Sequence, residues 1–191
     1  MKATMQFRSY LICLLLILPF GTAMGDEDAA KYAETIKIFQ DAGASGSFFN
    51  NSYGYAVFPT IGKAGFVVGG AHGKGRVYAG GKQTGNTSMT QLSVGFQMGA
   101  QGYSQIIFFE DQRAYDEFTS GNFEFSADAT AVAITAGASA SAGSTGSSAG
   151  ASGGKKDATT VGGYRKGMAT FVVAKGGLMY EAVLAGQKFS Y

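Results

Sequence analysis

The chain has 191 residues but only one cysteine, one histidine, two prolines and no tryptophan. Each scarcity removes a class of chemistry. Cys13 lies inside the N-terminal apolar run "YLICLLLILPF", so everything after it is free of thiols. Disulfides, thiol nucleophiles and cysteine metal sites are thereby excluded from the remainder. His72 has no second histidine, cysteine or carboxylate near it in sequence, and a metal site needs several such ligands. It reads as a turn or hydrogen-bonding residue. Two Gly-x-Ser-x-Gly matches, at 146–150 and 150–154, sit in Gly/Ser/Ala filler with no histidine after them. A nucleophile elbow needs a strand before it, a helix after it and a downstream histidine. The glycines around His72 also fail the Walker A pattern: Val68 stands where the first glycine belongs, and Gly75 follows Gly73-Lys74 where Ser or Thr is required. The expectation is a non-enzymatic protein without a cofactor or metal.

Long apolar runs are missing too. The run around Cys13 is shorter than the ~20 residues a membrane-spanning helix needs. It follows the cationic stretch "MKATMQFR" and precedes the small residues of "GTAMG". This three-part order is that of a secretory signal peptide over residues 1–25, with cleavage expected before Met24 or Asp26. The expected location is the periplasm, the outer membrane surface or the exterior. Residues 26–191 are enough for one domain with a real core.

The signal removes Lys2 and Arg8 and no acid, and so leaves a chain balanced in charge. Such a chain is a poor nucleic-acid partner, because phosphate binding rests on an excess of Lys and Arg. Locally the balance breaks. No Asp or Glu occurs between Asp41 and Glu110, while Lys63, Lys74, Arg76 and Lys82 fall in that interval. Arg165, Lys166, Lys175 and Lys188 add cations further on. A positive face of this kind offers a contact for anionic lipid head groups, at about 1 kcal/mol per cation near a charged surface.

Residues 26–42 are expected to form an amphipathic helix, capped by Asp26 or Asp28, with Ala29, Ala33, Ile36 and Phe39 as its apolar stripe and Gly43 as its stop. "GASGSFFNNSYG" reads as a connector with one helical turn. "YAVF" ends at Pro59, which suits a strand end or edge. "KAGFVVGGA" and "RVYAGG" flank His72-Gly73-Lys74-Gly75 and read as a hairpin turning at that tetrad. From Ser88 on, Thr90, Leu92, Val94, Phe96, Met98 and Ala100 alternate with Gln91, Ser93, Gly95, Gln97, Gly99 and Gln101, which predicts a half-buried strand with the Gln/Gly/Ser face in solvent or facing a lumen.

"SQIIFFED" reads as a buried strand, "DQRAYDEFTSG" as a short helix capped by Asp111, and "NFEFSADATAVAITAGA" as extended chain. Residues 137–154 are low in complexity, within a flexible insertion over 137–156. "MATFVVA" and "LMYEAVLAG" around Lys175-Gly176-Gly177 read as a second hairpin. Together these predict an α+β, β-rich single domain with a mostly antiparallel, sandwich- or barrel-like sheet, an N-terminal amphipathic helix and one short internal helix.

Four stretches, "YGYAVFPTIGKAGFVVGGAHGKGRVY", "SVGFQMGAQGYSQIIFF", "FEFSADATAVA" and "ATFVVAKGGLMYEAVLAG", resemble the SYLF family, also described as the Ysc84-type actin-binding domain. The resemblance spans roughly Ala30 to Gly186, with the insertion as a departure from it. It implies a lipid-binding domain, linked in eukaryotic members to phosphoinositides and actin, and exported in bacterial members. Carried onto this chain, it implies Lys63, Lys74 and Arg76, with Lys31 and Lys37 on the first helix, as lipid-binding positions. Lys82 joins them from the acid-free interval. With a signal peptide and balanced charge, the expected partner is an anionic envelope lipid or membrane surface rather than actin. The alternative expectation is a structural or protein-interaction module of the cell envelope.

Overall fold

The computed structural model describes residues 23–65, 68–94, 100–126, 128–134, 163–175 and 184–191. The chain is α+β: an eight-stranded, mostly antiparallel sheet curls into a half-barrel, with helical segments on both of its faces. In chain order the elements are α1 (Ala23–Asp41), α2 (Gly43–Gly46), α3 (Phe48–Asn51), β1 (Gly54–Gly65), β2 (Val68–Ala79), β3 (Lys82–Val94), β4 (Ala100–Phe109), α4 (Gln112–Thr119), β5 (Phe123–Glu124), β6 (Val132–Ile134), β7 (Met168–Lys175) and β8 (Gln187–Ser190). The order across the sheet is β5-β8-β3-β2-β1-β4-β7-β6, and β6–β7 is the parallel pair among antiparallel ones. The signal-peptide and insertion expectations fall on residues outside those described, apart from the start of α1.

α1 begins at Ala23, ahead of the acids expected to cap it, and Asp28 sits inside the helix. Its buried side chains are Tyr32, Thr35 and Phe39, with Ile36 half-buried, whereas Ala29 and Ala33 are exposed. The spacing by three and four is as expected, but the larger residues set the angle of the buried face, because they bring more apolar area to the sheet. The connector holds two short helical turns, α2 and α3. They seat Phe48 and Phe49 against Phe108 with ring centres 5.4 and 4.9 Å away.

Pro59 is not at a strand end or a sheet edge. It lies within β1, at the centre of the sheet, where the pairing with β2 shifts between Val57 and Thr60 and that with β4 between Phe58 and Ile61. A bulge tolerates the missing N–H donor that a regular central strand would not. The Pro59 carbonyl accepts from the Ser104 hydroxyl at 2.8 Å.

His72-Gly73-Lys74-Gly75 is not a turn either. The tetrad lies in mid-β2, paired on both sides. The tight turn that follows uses Gly80 and Gly81, at φ 57° and 75°, the left-handed pair that a two-residue hairpin requires. Gly73 and Gly75 are needed for packing: a Cβ would lie 2.6 Å from Ile61 Cγ1 at the first and 2.5 Å from the Phe58 ring at the second.

The two buried faces follow from this register. One carries Phe58, Ile107, Phe109, Met89 and Phe189 beneath Phe118 of α4, and is called here the α4 face. The other carries Val57, Ile106, Phe108 and Phe171 beneath Tyr32 and Phe39 of α1, the α1 face. β4 is buried on both faces from Tyr103 to Phe109, and Asp111 caps α4 by accepting from Ala114 N at 2.8 Å. Among the described residues of the 122–138 stretch, the strands are the short β5 and β6.

β3 is inverted relative to expectation. Met89 and Gln91 are buried on the α4 face, while Thr90 is exposed and Leu92 is 84% exposed. Positions 95–99 lie outside the described residues. The second hairpin is described only in its first strand: β7 pairs with β4 and β6, and β8 pairs with β3 and β5.

Candidate functional site

Cross-strand partners in a sheet share a face. Following partners from strand to strand gives a row on the α1 face: Lys175 (β7), Gly102 (β4), Gly62 (β1), His72 (β2), Thr90 (β3), Lys188 (β8) and Glu124 (β5). The next row toward α1 contains Thr60, Lys74, Ser88 and Ser190. The row on the other side contains Ala64, Gly70 and Leu92. These positions are exposed or half-exposed, and Arg76, one step further along the same face of β2, meets Asp28 of α1.

The floor of this area is open. A Cβ at Gly62 would meet nothing within 4 Å, at Gly70 only a carbonyl at 3.7 Å, and at Gly102 contacts at 3.8 Å or more. Around the floor stand Lys74, Lys175, Lys188 and His72. Lys175 Nζ donates to Thr60 Oγ1 at 2.9 Å, and so leans toward the Lys74 row. Lys188 meets Glu124 at 3.4 Å, at the edge of the sheet. Among the described residues, Lys74 and His72 have no ion pair. Glu124 is the one carboxylate in these rows, so the area is open, basic and glycine-paved, with an exposed leucine at its margin.

The cations named from sequence are not brought together. Lys74 belongs to this face. Lys63, paired with Ala71 and in step with Ile61, projects on the α4 face and is half-buried. Lys82 opens β3 directly after the Gly80-Gly81 turn, at the far end of the hairpin. Arg76 lies on the α1 face but is engaged: its Nη2 is 3.1 Å from Asp28 Oδ2, and its guanidinium lies 4.1 Å from the Tyr32 ring centre. Lys31 pairs with Glu27 and Lys37 with Asp41, each at 2.8 Å along α1. Beside Lys31, the hydrogen bond and charge of the ammonium hold the Glu27 carboxyl below its ordinary range.

Sequence reasoning left Lys175, Lys188 and Leu92 outside the site. The two lysines were visible as late cations, but only the pairing of β7 with β4 and of β8 with β3 puts them level with His72. Among the described residues no three His, Cys, Asp or Glu side chains gather as metal ligands, and no helix is long and apolar enough to cross a membrane.

The sequence places the chain in a family. The profile of the Ysc84 family, described as Las17-binding protein actin regulator, matches residues 90–190, and the chain belongs to this family. That span contains three of the four stretches that carried the resemblance. The chain is also similar to beta cell expansion factor A of Aeromonas veronii, with 27% identity over 157 residues, 81% of this chain and 51% of that protein. It therefore spans about half the length of this curated relative.

Proposed function

We propose that this protein binds anionic lipid surfaces, without catalysis, through the open area of the α1 face. The observation that carries the reading is the register row from Lys175 to Lys188, with Lys74 beside it and glycines between. The open space over Gly62, Gly70 and Gly102 lets head-group phosphates approach the backbone. Lys74 and Lys175, at about 1 kcal/mol each, supply an attraction that weakens with salt, and Lys188 adds to it when head-group phosphates displace Glu124. Leu92, 84% exposed, supplies an apolar side chain that gains by leaving water. Lys31, Lys37, Lys63, Arg76 and Lys82 then act at most as a diffuse positive surround, because their register or ion pairs keep them off this area. The proposed setting is the cell envelope after export, where the acidic surface is a bilayer leaflet rather than actin.

The test is sedimentation of the protein with phosphatidylglycerol-containing vesicles and with neutral phosphatidylcholine vesicles, at low and high salt. The expected result is salt-sensitive binding to the acidic vesicles alone, weakened ten-fold or more when Lys74, Lys175 and Lys188 are all changed to Gln. The triple change Lys31→Gln, Lys37→Gln, Lys82→Gln is expected to have a smaller effect. Equal losses from the two triples would sink the assignment to this face.

A further inference from the structure

A cleft of about 170 Å³ opens between the last turns of α4, β5, residues 125–126 and 128–130, and the turn leading into β7. Its walls combine the apolar Phe123, Phe125 and Met168 with Thr130, Thr170 and Arg165. The charges decide what it takes. Three carboxylates line it, and each already has a cation: Asp128 has Lys166 at 3.3 Å, Glu117 has Arg113 at 3.4 Å and Glu124 has Lys188 at 3.4 Å. Arg165 is left as the lining charge with no ion pair among the described residues.

The guanidinium is carried on a rigid base. Arg165 and Met168 exchange both backbone hydrogen bonds, at 2.9 and 3.0 Å, across a two-residue turn. The central residues are Lys166 at φ 54° and Gly167 at φ 81°. A lysine in the left-handed region costs roughly 1–2 kcal/mol that glycine there would not. What this lysine does in exchange is bond Ser126 Oγ at 3.1 Å and Asp128. Ser126 also donates to Asp128. These bonds hold the Asp128 carboxyl below its ordinary range, the Ser126 hydroxyl first and Lys166 next. The acid is thus kept occupied, and a strained turn at a cleft is where a functional role is to be sought.

We infer that this cleft binds a small organic anion, a carboxylate or phosphate on an apolar body, with Arg165 on the anionic group and Phe123, Phe125 and Met168 around the body. The volume is below the roughly 300 Å³ at which drug-sized sites begin, so the body is a single ring or a short chain. A planar guanidinium suits a carboxylate or phosphate better than an ammonium does, through two parallel hydrogen bonds. The site meets the lysine row proposed for membranes only at the Glu124–Lys188 pair, so Arg165 on one side and Lys74 on the other report on the two separately.

The test is binding of benzoate to the purified protein, followed by calorimetry and by amide shifts in ¹H–¹⁵N spectra. Saturable binding is expected, with shifts at 123–130 and 165–170, about ten-fold weaker in Arg165→Gln and at least ten-fold weaker for the neutral analogue benzamide on the unaltered protein. The same Arg165→Gln variant should keep its binding to phosphatidylglycerol vesicles, whereas Lys74→Gln should keep benzoate. No saturable benzoate binding, shifts centred elsewhere, or equal binding of benzoate and benzamide would each overturn the inference. Loss of vesicle binding in Arg165→Gln without benzoate binding in the parent protein would overturn it as well, by making the arginine part of the membrane surface.

Discussion

The guanidinium of Arg76 lies 4.1 Å from the centre of the Tyr32 ring and 3.1 Å from Asp28. One side chain of β2 thus holds two successive turns of α1. The arginine side chain is 20% exposed and Asp28 59%, so the ring contact and the covered stem matter more than the solvent-screened ion pair. Arg76→Gln is expected to lower stability by about 1–2 kcal/mol. Amide exchange should accelerate across the first turns of α1 while the central sheet keeps its protection. Uniform loss of protection across the sheet would contradict this local role.

The glycines of β2 predict a contrast. Gly73→Ala and Gly75→Ala place a methyl at 2.6 and 2.5 Å from Ile61 and Phe58, two fully buried side chains. Each is expected to cost about 1–3 kcal/mol by overpacking. Gly62→Ala, with open space around it, should change the urea midpoint little. Chemical denaturation of the three variants checks this.

The orientation of β3 makes Met89 and Leu92 a second contrast. Met89 is 0% exposed and Leu92 84%. Met89→Ala should cost about 2–5 kcal/mol, and Leu92→Ser should leave stability within about 0.5 kcal/mol. On vesicles the order is expected to reverse: the folded fraction of Met89→Ala binds normally and Leu92→Ser binds more weakly. A Leu92→Ser variant as destabilised as Met89→Ala would restore the opposite orientation of the strand.

A buried polar chain on the α4 face sets the response to alkali. Gln187 Nε2 donates to the Tyr103 hydroxyl at 3.2 Å, and Gln187 Oε1 accepts from Gln105 Nε2 at 3.0 Å. Burial pushes the Tyr103 hydroxyl far up, against a smaller opposing pull from Gln187. Tyr32, Tyr55 and Tyr164 are raised in the same direction, burial first. Raised folded values mean that the stability from keeping these phenols protonated is complete below the unfolded value of about 10, and is lost as pH rises beyond it toward the folded values. The midpoint of thermal unfolding should therefore be insensitive to these tyrosines at neutral pH and fall above about pH 10. Absorbance titration should show a group of phenols that ionise only with unfolding. Gln187→Ala should cost about 1–3 kcal/mol by stranding buried partners.

Much of the architecture was legible in the sequence. The capping of α4 by Asp111, the burial of "QIIFF" and the β-rich α+β class follow from local rules that tertiary contacts did not override. The places where reading failed share a cause. Alternation shows that Met89, Thr90, Gln91 and Leu92 take opposite faces, yet a period of two does not say which set is inside. Gln91 is inside because the carbonyl of Ala185 and the polar chain near Gln187 receive it. His72-Gly73-Lys74-Gly75 resembles a turn because glycine serves both tight turns and tight packing, and only the positions of Ile61 and Phe58 distinguish the two.

By itself the sequence determined the chemistry available: no thiol after Cys13, a single histidine, an acid-free interval and enough alternation to form a sheet. It also held enough family-specific sequence to be placed. The tertiary structure decided which cations share a face. Lys63 and Lys74 are close in sequence but lie on opposite faces, because strand parity separates them across the β1–β2 pairing. Lys74, Lys175 and Lys188 come to one face from three distant strands, because backbone hydrogen bonds fix the register between those strands and their neighbours. Register is a property of the pairing between strands, so no single segment contains it.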